Sequence, residues 1–133
     1  MIKILAHLHA HDIPSSVEFY EKFGFSLVGD DTDGRGIRIA RMTHGAAPYL
    51  MLNLRDNSTL LAPYKEFDDN DLPVAVAFAL MSSWDEEFFG WQKLIFESFN
   101  EFVIKDVSQP YGDWIYLKDP AGNNILFTSS DFY

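Results

Sequence analysis

The same pattern of apolar residues occurs twice along this chain of 133 residues, and the duplication restricts the possible folds more than any other feature. In the first copy, IKILAHLHA (residues 2–10) alternates apolar and polar positions, which predicts a strand with two unlike faces. A helical stripe follows, and then come three more strand-like segments separated by turns rich in Asp and Gly: FSLVGDD, RGIRIARMT and PYLMLNL. The predicted order of the first copy is therefore β-α-β-β-β.

The first predicted helix spans residues 15–23. Ser15 and Glu18 have the spacing of a capping box, in which two side chains satisfy backbone N–H groups at the helix start. Gly24 suits the position just past the helix end, where left-handed backbone is common. The apolar stripe consists of Val17, Phe19, Tyr20 and Phe23. Such a helix buries its stripe against a sheet.

The second copy repeats this order of elements. VAVAFAL (residues 74–80) predicts a strand, and Ser83 with Glu86 predicts a second capping box. The helix that follows would turn Phe88, Trp91 and Ile95 inward. Three further strands are predicted at EFVIKDV, DWIYLKD and NNILFTS.

Together the two copies predict a single α+β domain covering residues 1–133. Module one would comprise residues 1–54 and module two residues 74–133, joined by a polar linker of residues 55–73. Each module would form a four-stranded sheet with its helix on the outer face. The two sheets would then enclose a half-barrel cleft.

Charge and cysteine content narrow the class of protein. Twenty acidic against ten basic side chains give a formal net charge of −10, which disfavours nucleic acid and anionic lipid as partners and attracts cations. The absence of cysteine excludes disulfides, thiolate metal sites and thiol nucleophiles. No apolar run approaches the roughly 20 residues that span a bilayer. We therefore expect a soluble cytoplasmic protein with no membrane or nucleic-acid partner.

Two segments at opposite ends of the chain resemble a known superfamily. HDIPSSVEFYEKFGF resembles the opening of vicinal oxygen chelate proteins, and QPYGDWIYLKDPAGNNILF is similar to their closing segment. The superfamily includes glyoxalase I, fosfomycin-resistance enzymes, extradiol dioxygenases and the bleomycin-resistance proteins. Residues 109–127 are most similar to the last group, which bind cationic antibiotics without catalysis, as dimers with a cleft at the interface. The resemblance therefore implies a homodimer with a role in antibiotic resistance.

The resemblance also implies where a metal would be held. Enzymes of the superfamily coordinate a divalent metal through one His or Glu side chain from each of the first, fourth, fifth and last strands. The corresponding positions here are Leu5, Met51 (or Asn53, if the register differs by two residues), Ala75 and Leu126. None of these is a usual ligand of a divalent metal. We therefore predict neither a metal nor another cofactor, and no catalytic residue.

The alternating histidines of HLHAH leave several interpretations open. His7, His9 and His11 share one face of the first strand, because alternate residues point to the same side. They could be neutral imidazoles in a polar wall, ligand-contacting or pH-sensitive groups, or ligands of a metal site peculiar to this chain.

The same alternation predicts the lining of the cleft. Large residues of VAVAFAL would pack under the helix and leave its alanines facing inward, while Trp114 and Tyr116 share another inward face. A roomy, aromatic-walled cavity with a few polar groups is typical of an organic-ligand site. A solid core or a dimer interface built from the same aromatics is the alternative. The predicted ligand-binding residues are His7, His9, Tyr49, Met51, Asn53, Ala75, Ala77, Trp114, Tyr116 and Leu126.

The sequence therefore favours a non-catalytic protein of the bleomycin-resistance type that sequesters a small organic molecule, aromatic or cationic, such as an antibiotic. One alternative is a lyase, isomerase or dioxygenase of the same fold that has moved its metal to His7 or His9, or works without a metal. A structural or regulatory dimer with a filled cleft is the other alternative.

Overall fold

The computed structural model describes residues 2–32, 34, 36–56, 76–109 and 112–129. Contacts divide the chain into two compact units, each of which contains one of the two modules. The short segment Pro120–Asn123 belongs with the first unit, although it lies within the second module in sequence. Within the described residues, no helix is long and apolar enough to cross a membrane.

The first unit has one mixed sheet and one helix. Its strands follow the spatial order β1-β4-β3-β2, in which β1 runs parallel to β4 and the other neighbours are antiparallel. The elements are β1 (Ile4–Ala10), α1 (Ile13–Glu21), β2 (Phe25–Thr32), β3 (Arg38–His44) and β4 (Ala47–Asp56).

The second unit repeats this arrangement with the order β5-β8-β7-β6. Here β5 runs parallel to β8, and the other neighbours are antiparallel. The elements are β5 (Phe78–Ser82), α2 (Asp85–Ser98), a 3-10 turn (Asn100–Phe102), β6 (Val103–Gln109), β7 (Gly112–Lys118) and β8 (Asn124–Ser129). The predicted α+β class and the duplicated β-α-β-β-β order are confirmed, whereas the cleft between the modules stays a prediction.

Both predicted capping boxes are wrong. The first helix begins at Ile13 with Asp12 as its N-cap, and Ser15, inside the helix, donates its hydroxyl hydrogen bond to the Asp12 carboxylate. Pro14 suits this first turn, because its missing N–H has no helical partner there. The second helix begins at Asp85 with Trp84 as its N-cap, whose backbone N–H donates to the hydroxyl oxygen of Ser82 at 3.1 Å.

The strand bounds also differ from the predicted boundaries. The fourth strand continues to Asp56, so the first two residues assigned to the linker belong to the sheet. The fifth strand begins at Phe78, four residues later than predicted. The rest of the predicted linker, as well as Ala75, lies outside the described residues.

One face of the first sheet is the core of its unit. The α1 helix packs on β2, β3 and β4 through Phe19 and Tyr20, which are buried. The strand residues beneath the helix are also buried: Leu8, Ala10, Phe25, Ala40, Met42, Leu52 and Leu54. Because strand residues alternate between faces, the intervening side chains lie on the opposite side of the sheet.

In the second unit, too, one face of the sheet packs against the helix. Its helix packs on β8 and β5, and the rings of Trp91 and Phe127 meet edge to face with centroids 5.4 Å apart. Phe88 and Ile95 are buried, as the predicted inner face of this helix requires.

Candidate functional site

The candidate site lies on the face of the first sheet opposite α1, which we call the far face. Its side chains form rows across strands β1, β4 and β3, because residues in register on neighbouring strands share a face. The rows are Leu5, Met51 and Thr43; His7, Asn53 and Arg41; and His9, Arg55 and Ile39. We call the middle set, His7, Asn53 and Arg41, the central row.

Asn53 is the most unusual member of the central row. It lies on an inner strand, where asparagine is uncommon, and only 7% of its surface is exposed. Its amide oxygen is buried and has no hydrogen-bond partner among the described residues. Buried polar atoms in folded proteins are nearly always hydrogen-bonded, so this oxygen can accept from a donor that is not among the described residues.

Arg41 brings a positive charge to the same row. Its guanidinium Nη1 forms an ion pair with the carboxylate of Asp31 on the neighbouring strand β2, and both side chains remain partly exposed. Arginine carries five N–H donors in a planar fork, so the contact with Asp31 fixes the group and uses only part of its donor capacity. His7, at the other end of the row, is exposed.

A second Arg–Asp pair links the same two strands on the helix side of the sheet. Arg38 donates to both carboxylate oxygens of Asp30, over 2.9 and 2.6 Å. This bidentate hydrogen bonding lowers the pKa of the Asp30 carboxyl below its ordinary value and raises the pKa of Arg38. The two pairs resemble each other in chemistry and differ in the face that they occupy.

The histidines do not form a single cluster. The Nε2 atoms of His9 and His11 lie 3.1 Å apart, and their rings meet edge to face. His44 has a structural role: its Nδ1 accepts a hydrogen bond from the backbone N–H of Ala46, so its Nε2 donates to the carbonyl of Phe23. Within the described part of the chain, no three His, Cys, Asp or Glu side chains converge as a metal site would require.

The predicted site residues of the second unit form a packed cluster. Trp114 and Tyr116 are 6% and 5% exposed, with ring centroids 6.0 Å apart. Leu126 is buried with them, and Val76 and Ile104 pack against the group. These residues lie on the face of the second sheet opposite α2, as alternation predicts, because Ile115, Leu117, Ile125 and Phe127 occupy the helix side.

Nine of the ten predicted site residues therefore fall into two groups within their own units. His7, His9, Met51 and Asn53 share the far face of the first sheet, and Tyr49 lies at the exposed start of β4. Trp114, Tyr116 and Leu126 share the cluster of the second unit, while Ala77 is half-buried just before β5. Ala75 lies outside the described residues.

Sequence reasoning missed Arg41 and Arg55. Alternation within RIARMT separates Ile39, Arg41 and Thr43 from the buried Ala40 and Met42, and this signal was present in the sequence. This signal was not sufficient to place Arg41 beside Asn53, because the neighbours of Arg41 depend on the pairing of β3 with β4.

Two β-α-β-β-β modules, each a mixed four-stranded sheet with one helix, define a class of proteins whose known members include both enzymes and binding proteins. The structural comparisons agree with this class. The lactoylglutathione lyase of Agrobacterium tumefaciens shares 21% sequence identity, with 98% of this chain and 94% of that chain covered and a TM-score of 0.65.

Two other solved structures show the same similarity. A member of the glyoxalase/bleomycin resistance protein/dioxygenase superfamily from Sphaerobacter thermophilus shares 17% identity over 98% of each chain, with a TM-score of 0.67. A bleomycin-binding protein, solved in complex with bleomycin, shares 20% identity over 98% of this chain and 99% of that chain, with a TM-score of 0.62. No family model and no curated protein matches the chain. The chain therefore has the fold of this superfamily, as the resemblance predicted.

Proposed function

We propose that this protein binds and sequesters a small organic molecule without transforming it. The observation that carries the proposal is the central row of the far face, where the amide oxygen of Asn53 is buried beside His7 and Arg41 and has no hydrogen-bond partner within the described part of the chain. A buried polar atom without a hydrogen-bond partner costs stability, and a ligand that donates to it would supply the missing hydrogen bond. The bleomycin complex of one structural neighbour supports a binding role for this fold.

The side chains at the implied metal positions support binding over metal-dependent catalysis. Leu5 and Met51 are paired in register on the far face, and Leu126 lies in the aromatic cluster of the second unit. Leucine offers no donor atom, and a thioether is a poor ligand for the divalent ions that activate oxygen substrates.

The proposal is tested by thermal-shift screening of the purified protein against bleomycin-type antibiotics, aromatic acids and amines, and divalent metals. A ligand that binds only the folded state raises the melting temperature in proportion to the logarithm of its concentration. We expect at least one organic compound to do so and to be recovered unchanged after incubation. A screen without any organic ligand, or recovery of a converted product, would reject the proposal.

Dimerisation and aromatic selectivity belong to the same proposal. Ile4 and Leu5 on the edge strand β1 are exposed, as is Ile2 just before it, and exposed apolar residues along a strand edge are typical of an interface. Size-exclusion chromatography with light scattering tests the dimer. Trp114 and Tyr116 would contact an aromatic or cationic ligand only if binding opens their cluster. A ligand-dependent change in tryptophan fluorescence that Trp114→Phe abolishes tests that contact.

A lyase or isomerase reaction is the second candidate, and the His9–His11 pair favours it. Two imidazole nitrogens 3.1 Å apart are close enough to share one metal ion. Elemental analysis of protein purified without chelators, together with an assay for lactoylglutathione lyase activity, separates the two candidates. About one metal per chain, lost in His9→Ala and accompanied by turnover, would establish the enzyme and reject sequestration.

A further inference from the structure

The central row offers a specific combination of donors and acceptor. Arg41 is a donor only, and Asp31 engages its Nη1. His7 is exposed, can donate through a ring N–H, and has no hydrogen bond with another side chain or backbone atom in the described part of the chain. Asn53, between them, holds a buried amide oxygen that accepts. Two donors therefore flank one buried acceptor.

From this arrangement we propose that the far face binds a hydroxy acid, an inference that rests on the proposed binding function. The carboxylate is held by Arg41 and His7, and the neighbouring hydroxyl donates to the amide oxygen of Asn53. The planar guanidinium matches carboxylate geometry, and a charge-assisted hydrogen bond is stronger than a neutral one. A carboxylate alone has no proton for Asn53, so the acceptor requires the second group.

The dimensions of the row suit such a ligand. Neighbouring strands lie about 4.8 Å apart, so the row extends roughly 10 Å from His7 to Arg41. A carboxylate held from both ends of the row would lie over its middle residue, Asn53, so a hydroxyl on the adjacent carbon atom would be next to the Asn53 amide. Leu5 and Met51, one row away, provide apolar contact for the body of the ligand.

Three probes separate the two recognition elements. Phenyllactate carries both the carboxylate and the hydroxyl, phenyllactamide lacks the charge, and phenylpropionate lacks the hydroxyl. Affinities are measured by titrating each probe into the protein and following backbone amide chemical shifts by NMR, a method that detects weak binding. We expect phenyllactate to bind about tenfold more tightly than either analogue, as the loss of one hydrogen bond to a buried or charged group predicts.

The chain contains a matched control for the arginine. Arg38 lies on the same strand as Arg41 and is likewise paired with an aspartate of β2, but it occupies the helix side of the sheet. Arg41→Gln should remove the advantage of phenyllactate over phenyllactamide, and Arg38→Gln should leave it intact. Asn53→Leu should remove the advantage of phenyllactate over phenylpropionate. Because both Gln variants lose a similar ion pair, a difference between them reports ligand binding and not folding.

Each outcome supports or overturns the hydroxy-acid inference. Equal affinities of the three probes, or equal effects of Arg41→Gln and Arg38→Gln on the preference for phenyllactate, overturn the inference but do not contradict the proposed binding function. The same holds if no probe binds while another organic compound of the thermal-shift panel does. If neither the probes nor any panel compound binds, the inference and the proposed function fail together.

Discussion

Asn53 shows at the residue scale how a residue of the candidate site can lower stability. Its amide oxygen is buried without a partner in the described structure, and such an atom loses its hydrogen bonds to water on folding. Replacing Asn53 with leucine, which has the same branched shape and number of side-chain heavy atoms, should therefore raise the free energy of unfolding by about 1 kcal/mol. Urea denaturation measures this change. A loss of stability of similar size would show instead that the amide is hydrogen-bonded in solution and that its role is structural.

Gly24 is constrained by backbone conformation and by a close neighbour. Its φ of 94° is in the left-handed region, and a Cβ added there would lie 2.7 Å from Nε2 of His44. Gly24→Ala should therefore lower the free energy of unfolding by about 2–3 kcal/mol, since the left-handed conformation costs about 1–2 kcal/mol and His44 loses its hydrogen bond to Phe23.

Gly122 provides the matched control for this prediction. It also has a positive φ, of 89°, but among the described residues other than its chain neighbours, a Cβ added there would meet no atom within 4 Å. Gly122→Ala should cost only the backbone penalty, about 1–2 kcal/mol. Chemical denaturation of both variants measures the difference in their free energies of unfolding. Equal losses of stability in the two variants would show that the contact with His44 does not contribute.

At the scale of elements, the Arg38–Asp30 pair connects β2 and β3 and shifts the pKa of the carboxyl downward through hydrogen bonding. A lowered folded-state pKa contributes stability that is present above the ordinary aspartate pKa and is lost as the pH falls through the lowered value. Arg38→Gln should raise the pKa of Asp30 and remove this contribution. Titration of the Asp30 carboxyl by NMR in both proteins measures the shift, and an unchanged pKa would contradict the prediction.

The elements also show what the sequence could and could not predict. Strands and helices follow from alternation and helical stripes, which involve only neighbouring residues, and each predicted strand overlaps an observed one. The helix starts were wrong because Asp12 and Trp84 adopt the extended N-cap backbone in place of the predicted Ser15 and Ser83. A capping-box spacing shows only that a cap is possible. The geometry of the preceding turn determines which residue is the N-cap.

The candidate site was predicted in part for a related reason. Alternation, which is local information, grouped His7 with Leu5 on one strand and Asn53 with Met51 on another. The position of His7 beside Asn53 depends on the parallel pairing of β1 with β4, whose residues are far apart in sequence. Arg41 joins them through a third strand. The chemistry of the central row therefore arises from strand register, which a single sequence does not specify.

For the whole molecule, the net charge of −10 and the local charge of the far face act over different distances. At about 0.01 M salt the Debye length is about 30 Å, so an approaching anion is repelled by the whole protein. At about 0.15 M salt it is about 8 Å, and the attraction of Arg41 at short range persists. Electrostatic forces of this kind act mainly on association rates.

The sign of the salt effect therefore distinguishes the charge classes of ligand. Raising the salt over this range should accelerate association of phenyllactate, because it screens the long-range repulsion, and should leave dissociation nearly unchanged. A cationic antibiotic, as expected from the net charge, should instead associate more slowly. Stopped-flow mixing measures both rates, and the uncharged phenyllactamide, whose association should not respond to salt, serves as the control. Slower association of phenyllactate at raised salt would mean that the charge around the binding site is net positive over distances well beyond the central row.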